Sequence, residues 1–205
     1  QQIQGKYNSD TFLYERKWES IQNTCYQEEN ATQTPLEVNA NSFSVLQFNM
    51  LAEGLSSGNN VPRPFEKCKE VTNLSSAKSV YGGFTSIPYP EILLDFQLRR
   101  WRLMEVLLGF CNQLHFDVIA CEEMDRFHGF FEPLMKVAGY KGLFVPKASS
   151  PCTKFGFYSD GCALFWKSDV FEFVDSEHGV YNDSSQVYLL CILRHLKTKQ
   201  LVLFA

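Results

Sequence analysis

The stretch V-I-A-C-E-E-M-D, from Val118 to Asp125, is a short apolar run that ends abruptly in two adjacent carboxylates. A run of this length, bounded by charge, predicts a buried strand that delivers an acid to a site. Successive strand residues point to opposite faces, so Glu122 and Glu123 cannot both enter one pocket unless the strand end bulges or twists. One of the two is a candidate metal ligand, and the other has a different task.

Working outward, Glu91 to Leu114 places Phe96, Leu98, Trp101, Leu103, Met104, Val106, Leu107, Leu108, Phe110 and Leu114 on a broad apolar face, with Arg99, Arg100 and Arg102 on the other side. This predicts an amphipathic helix packed on a sheet, its arginines solvated. Before it, F-S-V-L-Q-F-N-M-L from Phe43 predicts a strand closing at Asn49, so the order is strand, helix, strand. After it, Phe127 to Ala138 predicts a second helix capped by Gly139, and Tyr140 to Val145 a strand ending at Pro146-Lys147. Asp160-Gly161, read as turn chemistry, then opens a compact strand over Cys162 to Trp166. Phe171 to Asp175, Gln186 to Leu193 and Gln200 onward are further strands with hairpin connections. Such a mixture suits an α+β or layered α/β arrangement.

With 205 residues, 45% hydrophobic and 20% charged, the chain can bury a sizeable core, and its net charge of −4 gives no broad attraction to nucleic acid. Residues 1–42 form a polar leader with one candidate helix from Asp10 to Ile21. The domain proper covers 43–205. Ser56 to Tyr89 is rich in Gly, Pro, Ser and Asn, and reads as a functional loop or an insertion. Seven cysteines without a CxxC pair, and four histidines without ligand spacing, indicate neither a disulfide framework nor a zinc site and suit a reduced, intracellular protein. No apolar stretch approaches the roughly 20 residues that span a bilayer. The chain ends in L-V-L-F-A without a turn or cap, which reads as a strand cut midway.

Asn49, Glu123 and Lys147 each close a strand candidate, and neighbouring strand ends are where α/β proteins collect ligands. A carboxylate, an amide and an ammonium together suit a magnesium ion and phosphate oxygens, and hence phosphoester hydrolysis. Taken singly, each has a plainer reading: Glu123 as a solvated acid, Asn49 as a turn former.

Four stretches in order, L-Q-F-N-M-L-A (46–52), C-E-E-M-D (121–125), F-V-P-K-A-S-S-P-C (144–152) and S-D-G-C-A-L-F (159–165), resemble the endonuclease/exonuclease/phosphatase superfamily. Within it they are most similar to the nocturnin branch of the carbon catabolite repression type deadenylases. The resemblance implies the N-terminal part of a four-layer α/β sandwich, with Asn49 as the active-site Asn, Glu123 as the magnesium ligand and Lys147 as a lysine that reaches the substrate. It implies hydrolysis by metal-activated water of the 2′-phosphate of NADP(H) or, alternatively, of poly(A) RNA. The reduced, intracellular setting read from the cysteines is expected to be cytoplasmic, with a mitochondrial one as the second option. Phe48 departs from the usual Trp and Glu122 from the usual Gln. The family's T-H-L-K, G-D-F-N and S-D-H motifs are absent, so the 205-residue chain alone is expected to be inactive. A catalytically dead interaction module is the remaining alternative.

Overall fold

The computed structural model describes residues 42–56, 93–109, 115–182 and 184–205, all within the unit Val38–Ala205. The expected leader helix, and all of the expected loop from Ser56 to Tyr89 except Ser56 itself, lie outside the described residues.

Four strands form the first sheet: β1 (Val45–Asn49), β2 (Val118–Met124), β4 (Gly161–Lys167) and β3 (Tyr140–Pro146), in that spatial order. β1 and β2 run parallel, while β4 runs antiparallel to both β2 and β3. Consequently β1, β2 and β3 all end, and β4 begins, at one edge of the sheet. The parallel β1–β2 pair requires a crossover, and α2 (Phe96–Leu107) lies on that connection. Its start is fixed by Asp95, whose side chain accepts the Gln97 N–H at 2.8 Å, satisfying a helix donor that would otherwise lack a partner.

A second sheet, β5 (Phe171–Val180), β6 (Val187–His195) and β7 (Leu201–Phe204), is an antiparallel meander. In β6 every second residue, Val187, Leu189, Cys191, Leu193 and His195, is buried, the period of a strand with one face in a core. That face meets Val118, Val145, Leu164 and Trp166 of the first sheet. On its opposite face the first sheet carries α2, a π-helical turn (Phe127–Phe131) and α3 (Glu132–Val137). Central Phe165, 1% exposed, lies on this helix side, where full burial of such a ring contributes about 1.5–3 kcal/mol. Helices, sheet and second sheet therefore form three successive layers of the expected α+β sandwich. α3 ends at Gly139, φ 88°, the left-handed position for which glycine is suited.

Three expectations need correction. Among the described residues α2 is confined to Phe96–Leu107. Its apolar face is narrower than the composition implied, since Leu98 and Trp101 are more than half exposed. Its arginines are not simply solvated: Arg99 is drawn under the sheet edge, where its Nη1 donates to the Met50 carbonyl at 2.8 Å. Arg100 lies over the Trp101 and Phe130 rings, and Arg102 pairs with Glu105.

Candidate active site

The two carboxylates are separated by a β-bulge. Cys121 pairs with Ala163 and Met124 with Gly161, so Glu122 and Glu123 together oppose the single Cys162. Glu123 takes the left-handed conformation, φ 51°, which allows Cys121 and Met124, three positions apart, both to enter the helix-side core. The bulge separates their tasks. Glu122 accepts a hydrogen bond from Gln47 Nε2 at 2.8 Å, whereas the Glu123 carboxylate has no hydrogen-bond or ion-pair partner among the described residues and is only partly buried.

Asn49 ends β1 beside them, with Glu122 as its register partner across the parallel ladder. Its Oδ1 accepts the Leu51 N–H at 2.8 Å, an Asx turn that bends the chain out of the strand through Leu51, φ 52°. The turn-forming reading of Asn49 is thus realised, and the side-chain amide N–H group stays available at the sheet edge.

Lys147 leaves β3 at the same edge, two strands from β2. Its Nζ lies 2.6 Å from Asp160 Oδ2. Asp160 is fully buried, accepts the Ser150 hydroxyl and lies 3.6 Å from Cys152 Sγ. Burial alone would raise its carboxyl, but the hydrogen bonds from Lys147 and Ser150 and the Lys147 charge outweigh it and hold the group below the ordinary aspartate value. Turn chemistry is therefore not the role of Asp160: it is the acceptor that joins F-V-P-K-A-S-S-P-C to S-D-G-C-A. Gly54 completes the junction, since a Cβ there would meet Cys152 Cβ at 2.6 Å.

A charged cluster that the sequence reading missed underlies this edge. Asp125, 3% exposed, accepts the Glu53 N–H at 2.9 Å; Glu53 begins the short α1 (Glu53–Ser56). Arg126 grips the Glu53 carboxylate through both Nε and Nη2. Burial pushes the Asp125 carboxyl up to about 6, opposed chiefly by its bond from the Glu53 backbone. Burial lowers the Arg99 guanidinium, with Asp125 and Glu53 opposing. The available signal was a charged residue just past each of two buried strands, Glu53 after β1 and Asp125-Arg126 after β2. The described cysteines are free, and burial raises the thiols of Cys121, Cys152, Cys162 and Cys191, which disfavours a nucleophilic role.

Among the described residues no group of three or more His, Cys, Asp and Glu could hold a metal. A single oxygen ligand nevertheless fits magnesium, which keeps most of its waters and takes one or two carboxylates. Glu123, a carboxylate with no hydrogen-bond or ion-pair partner among the described residues, is a donor of the type that such an ion takes.

No family model matches the chain. It is 28% identical to nocturnin of Homo sapiens over 134 residues, 64% of this chain and 25% of that protein. It is 34% identical to the CCR4-Not complex 3'-5'-exoribonuclease subunit Ccr4 of Debaryomyces hansenii over 97 residues, 45% of this chain and 11% of that protein. The fold is similar to that of the human Nocturnin catalytic domain with bound sulfate anion, with a TM-score of 0.55 and 22% identity over 78% of this chain and 46% of that one. The chain thus spans about a quarter of the length of the nocturnin it matches. With the α+β layers and the motif junction at Asp160, the chain is thus similar in sequence to nocturnin and to the Ccr4 exoribonuclease subunit, and in fold to the Nocturnin catalytic domain, as its four ordered motifs lead one to expect.

Proposed function

We propose that this chain supplies one wall of a magnesium-dependent phosphoester hydrolase site that acts on the 2′-phosphate of NADP(H), in an intracellular protein. The observation that carries the reading is Glu123, a carboxylate held in a left-handed bulge at the edge where Asn49 and Lys147 also end their strands. Strained backbone at a ligand-competent acid is characteristic of functional sites. Glu123 would hold the magnesium, which supplies a Lewis acid for phosphoryl oxygen and a more acidic water. The Asn49 amide orients a phosphate oxygen or a water from the neighbouring strand. Lys147, its ammonium anchored by Asp160, offers its remaining donors to phosphate charge. Among the described residues no helix is long and apolar enough to cross a membrane.

The 205 residues contain no T-H-L-K, G-D-F-N or S-D-H motif, so we assign turnover to the complete gene product and inactivity to the isolated chain. The test is phosphate release from NADPH by the complete protein with magnesium, beside shortening of a poly(A) oligonucleotide. NADPH turnover that disappears in Glu123→Ala supports the reading. Poly(A) shortening alone moves the assignment to a 3′ exoribonuclease, in line with the similarity to the Ccr4 3'-5'-exoribonuclease subunit. Neither reaction would leave an interaction module.

A further inference from the structure

Asn49 and Glu123 reach the sheet edge from different strands, and each chain leaves through left-handed backbone: Leu51 at φ 52°, Glu123 at 51° and Arg126 at 50°. Such conformations persist only where the surroundings over-determine them. Here the two exits are fastened together. The exit from β1 reaches Glu53, whose N–H donates to Asp125 Oδ2 at 2.9 Å. The exit from β2 reaches Arg126, whose Nε donates to Glu53 Oε2 at 2.9 Å, joined by Nη2 on the same oxygen. The guanidinium cannot swing away, because Phe96 and Tyr158 hold it at 4.8 and 5.0 Å from their ring centres.

We propose that the Glu53–Arg126 ion pair is a positioning clasp that sets Glu123 and Asn49 in the geometry that binds the divalent ion. This rests on the phosphohydrolase reading above. An exposed ion pair would contribute little, but Glu53 is 7% exposed and Asp125 beneath it 3%. Removing the clasp frees two strained turns whose side chains must be placed to within about 0.5 Å for productive binding. Neither Glu53 nor Arg126 touches the reacting atoms; both act through the backbone that carries Asn49 and Glu123.

The measurement is Mn2+ binding by the complete protein, followed by electron paramagnetic resonance, with kcat and KM on the substrate it turns over. Glu53→Gln keeps the shape of the side chain and removes its charge. Arg126→Asn tolerates the left-handed conformation and removes the grip. Each is expected to weaken Mn2+ binding about 10- to 100-fold, as loss of outer-shell partners does, and to lower kcat more than it raises KM, well below the melting temperature. Tyr158→Ala, which strips one exposed ring from the guanidinium, is expected to weaken Mn2+ about two- to five-fold and keeps the test decisive if Arg126→Asn does not fold. Wild-type Mn2+ affinity in all three variants overturns the clasp alone. A wild type that binds no Mn2+ overturns both the clasp and the phosphohydrolase reading.

Discussion

Asn49 stands opposite Glu122, not Glu123, across the parallel β1–β2 ladder, and the Met50 N–H continues that ladder to the Glu122 carbonyl at 2.9 Å. Glu122 is therefore the last residue of β2 in register with β1, its carboxylate occupied by Gln47, and Glu123 follows it within the bulge that opposes Cys162. The two substitutions to glutamine should diverge. Glu122→Gln keeps an oxygen to accept the Gln47 amide and removes a negative charge beside the site, so Mg2+ affinity should stay within about three-fold of wild type. Glu123→Gln removes the charged ligand itself and should weaken Mg2+ by at least about 100-fold, the upper range seen for outer-shell losses. Isothermal titration of the complete protein checks both, and a reversed order would move the ligand assignment to Glu122.

The bulge also carries a stability cost. A non-glycine residue at φ 51° costs about 1–3 kcal/mol, whereas glycine there loses about 0.5–1 kcal/mol through its freer unfolded state. Glu123→Gly should accordingly raise unfolding stability by about 1 kcal/mol while abolishing metal binding. Urea denaturation checks it, and a loss of stability comparable to that of an ordinary substitution would show that Glu123 is held by side-chain interactions instead of tolerated by its backbone.

How much of this was legible in the sequence depended on range. The strands over 45–49, 118–124, 140–146, 161–167 and 187–195 follow from periodicity and length, because those signals are local. That Glu122 and Glu123 have separate tasks was also legible, since strand alternation keeps two neighbouring acids off one face unless the strand bulges or twists; which of these occurs was not. The Asp160 cluster was not, because an Asp-Gly pair has the same local appearance whether it turns in solvent or lies buried beneath Lys147. Arg99 failed for the same reason: helical spacing gives its face, and only tertiary packing brings the Met50 carbonyl to it. Glu53 and Arg126 lie 73 positions apart, beyond the reach of any pattern in a single sequence.

Gly161 is required for a reason other than turn formation. It is the first residue of β4, paired with both Met124 and Pro146, and a Cβ there would lie 2.0 Å from the Val145 carbonyl oxygen and 2.8 Å from Pro146 Cα. Backbone cannot yield as a flexible side chain does, so Gly161→Ala must push β3 from β4 at the edge that carries Lys147. The expected cost is about 3 kcal/mol, at the upper end for overpacking, read by urea unfolding. A variant within about 0.5 kcal/mol of wild type would show that the two strands can separate freely.

The Lys147–Asp160 pair has a distinct pH signature. In the wild type the depressed Asp160 carboxyl contributes stability in full above the unfolded aspartate value of about 3.9, and loses it only as pH falls through the still lower folded value. Lys147→Met leaves the buried carboxylate with Ser150 and Cys152 but no cation, and removing one partner of a buried pair costs about 3–5 kcal/mol at neutral pH. Burial then dominates and raises Asp160 above its unfolded value, so the sign of the linkage reverses: the folded variant takes up a proton before the unfolded chain does and gains stability as pH falls. Between pH 7 and about pH 5 the wild type should show no dependence from this group, while the gap to Lys147→Met narrows as pH falls. Adding Asp160→Asn to Lys147→Met should remove the pH dependence of that gap. Equilibrium unfolding at pH 7, 6, 5 and 4 checks the slope, and a gap that is constant across the range would mean that Asp160 is neutral in the folded protein and that its contact with Lys147 is not an ion pair.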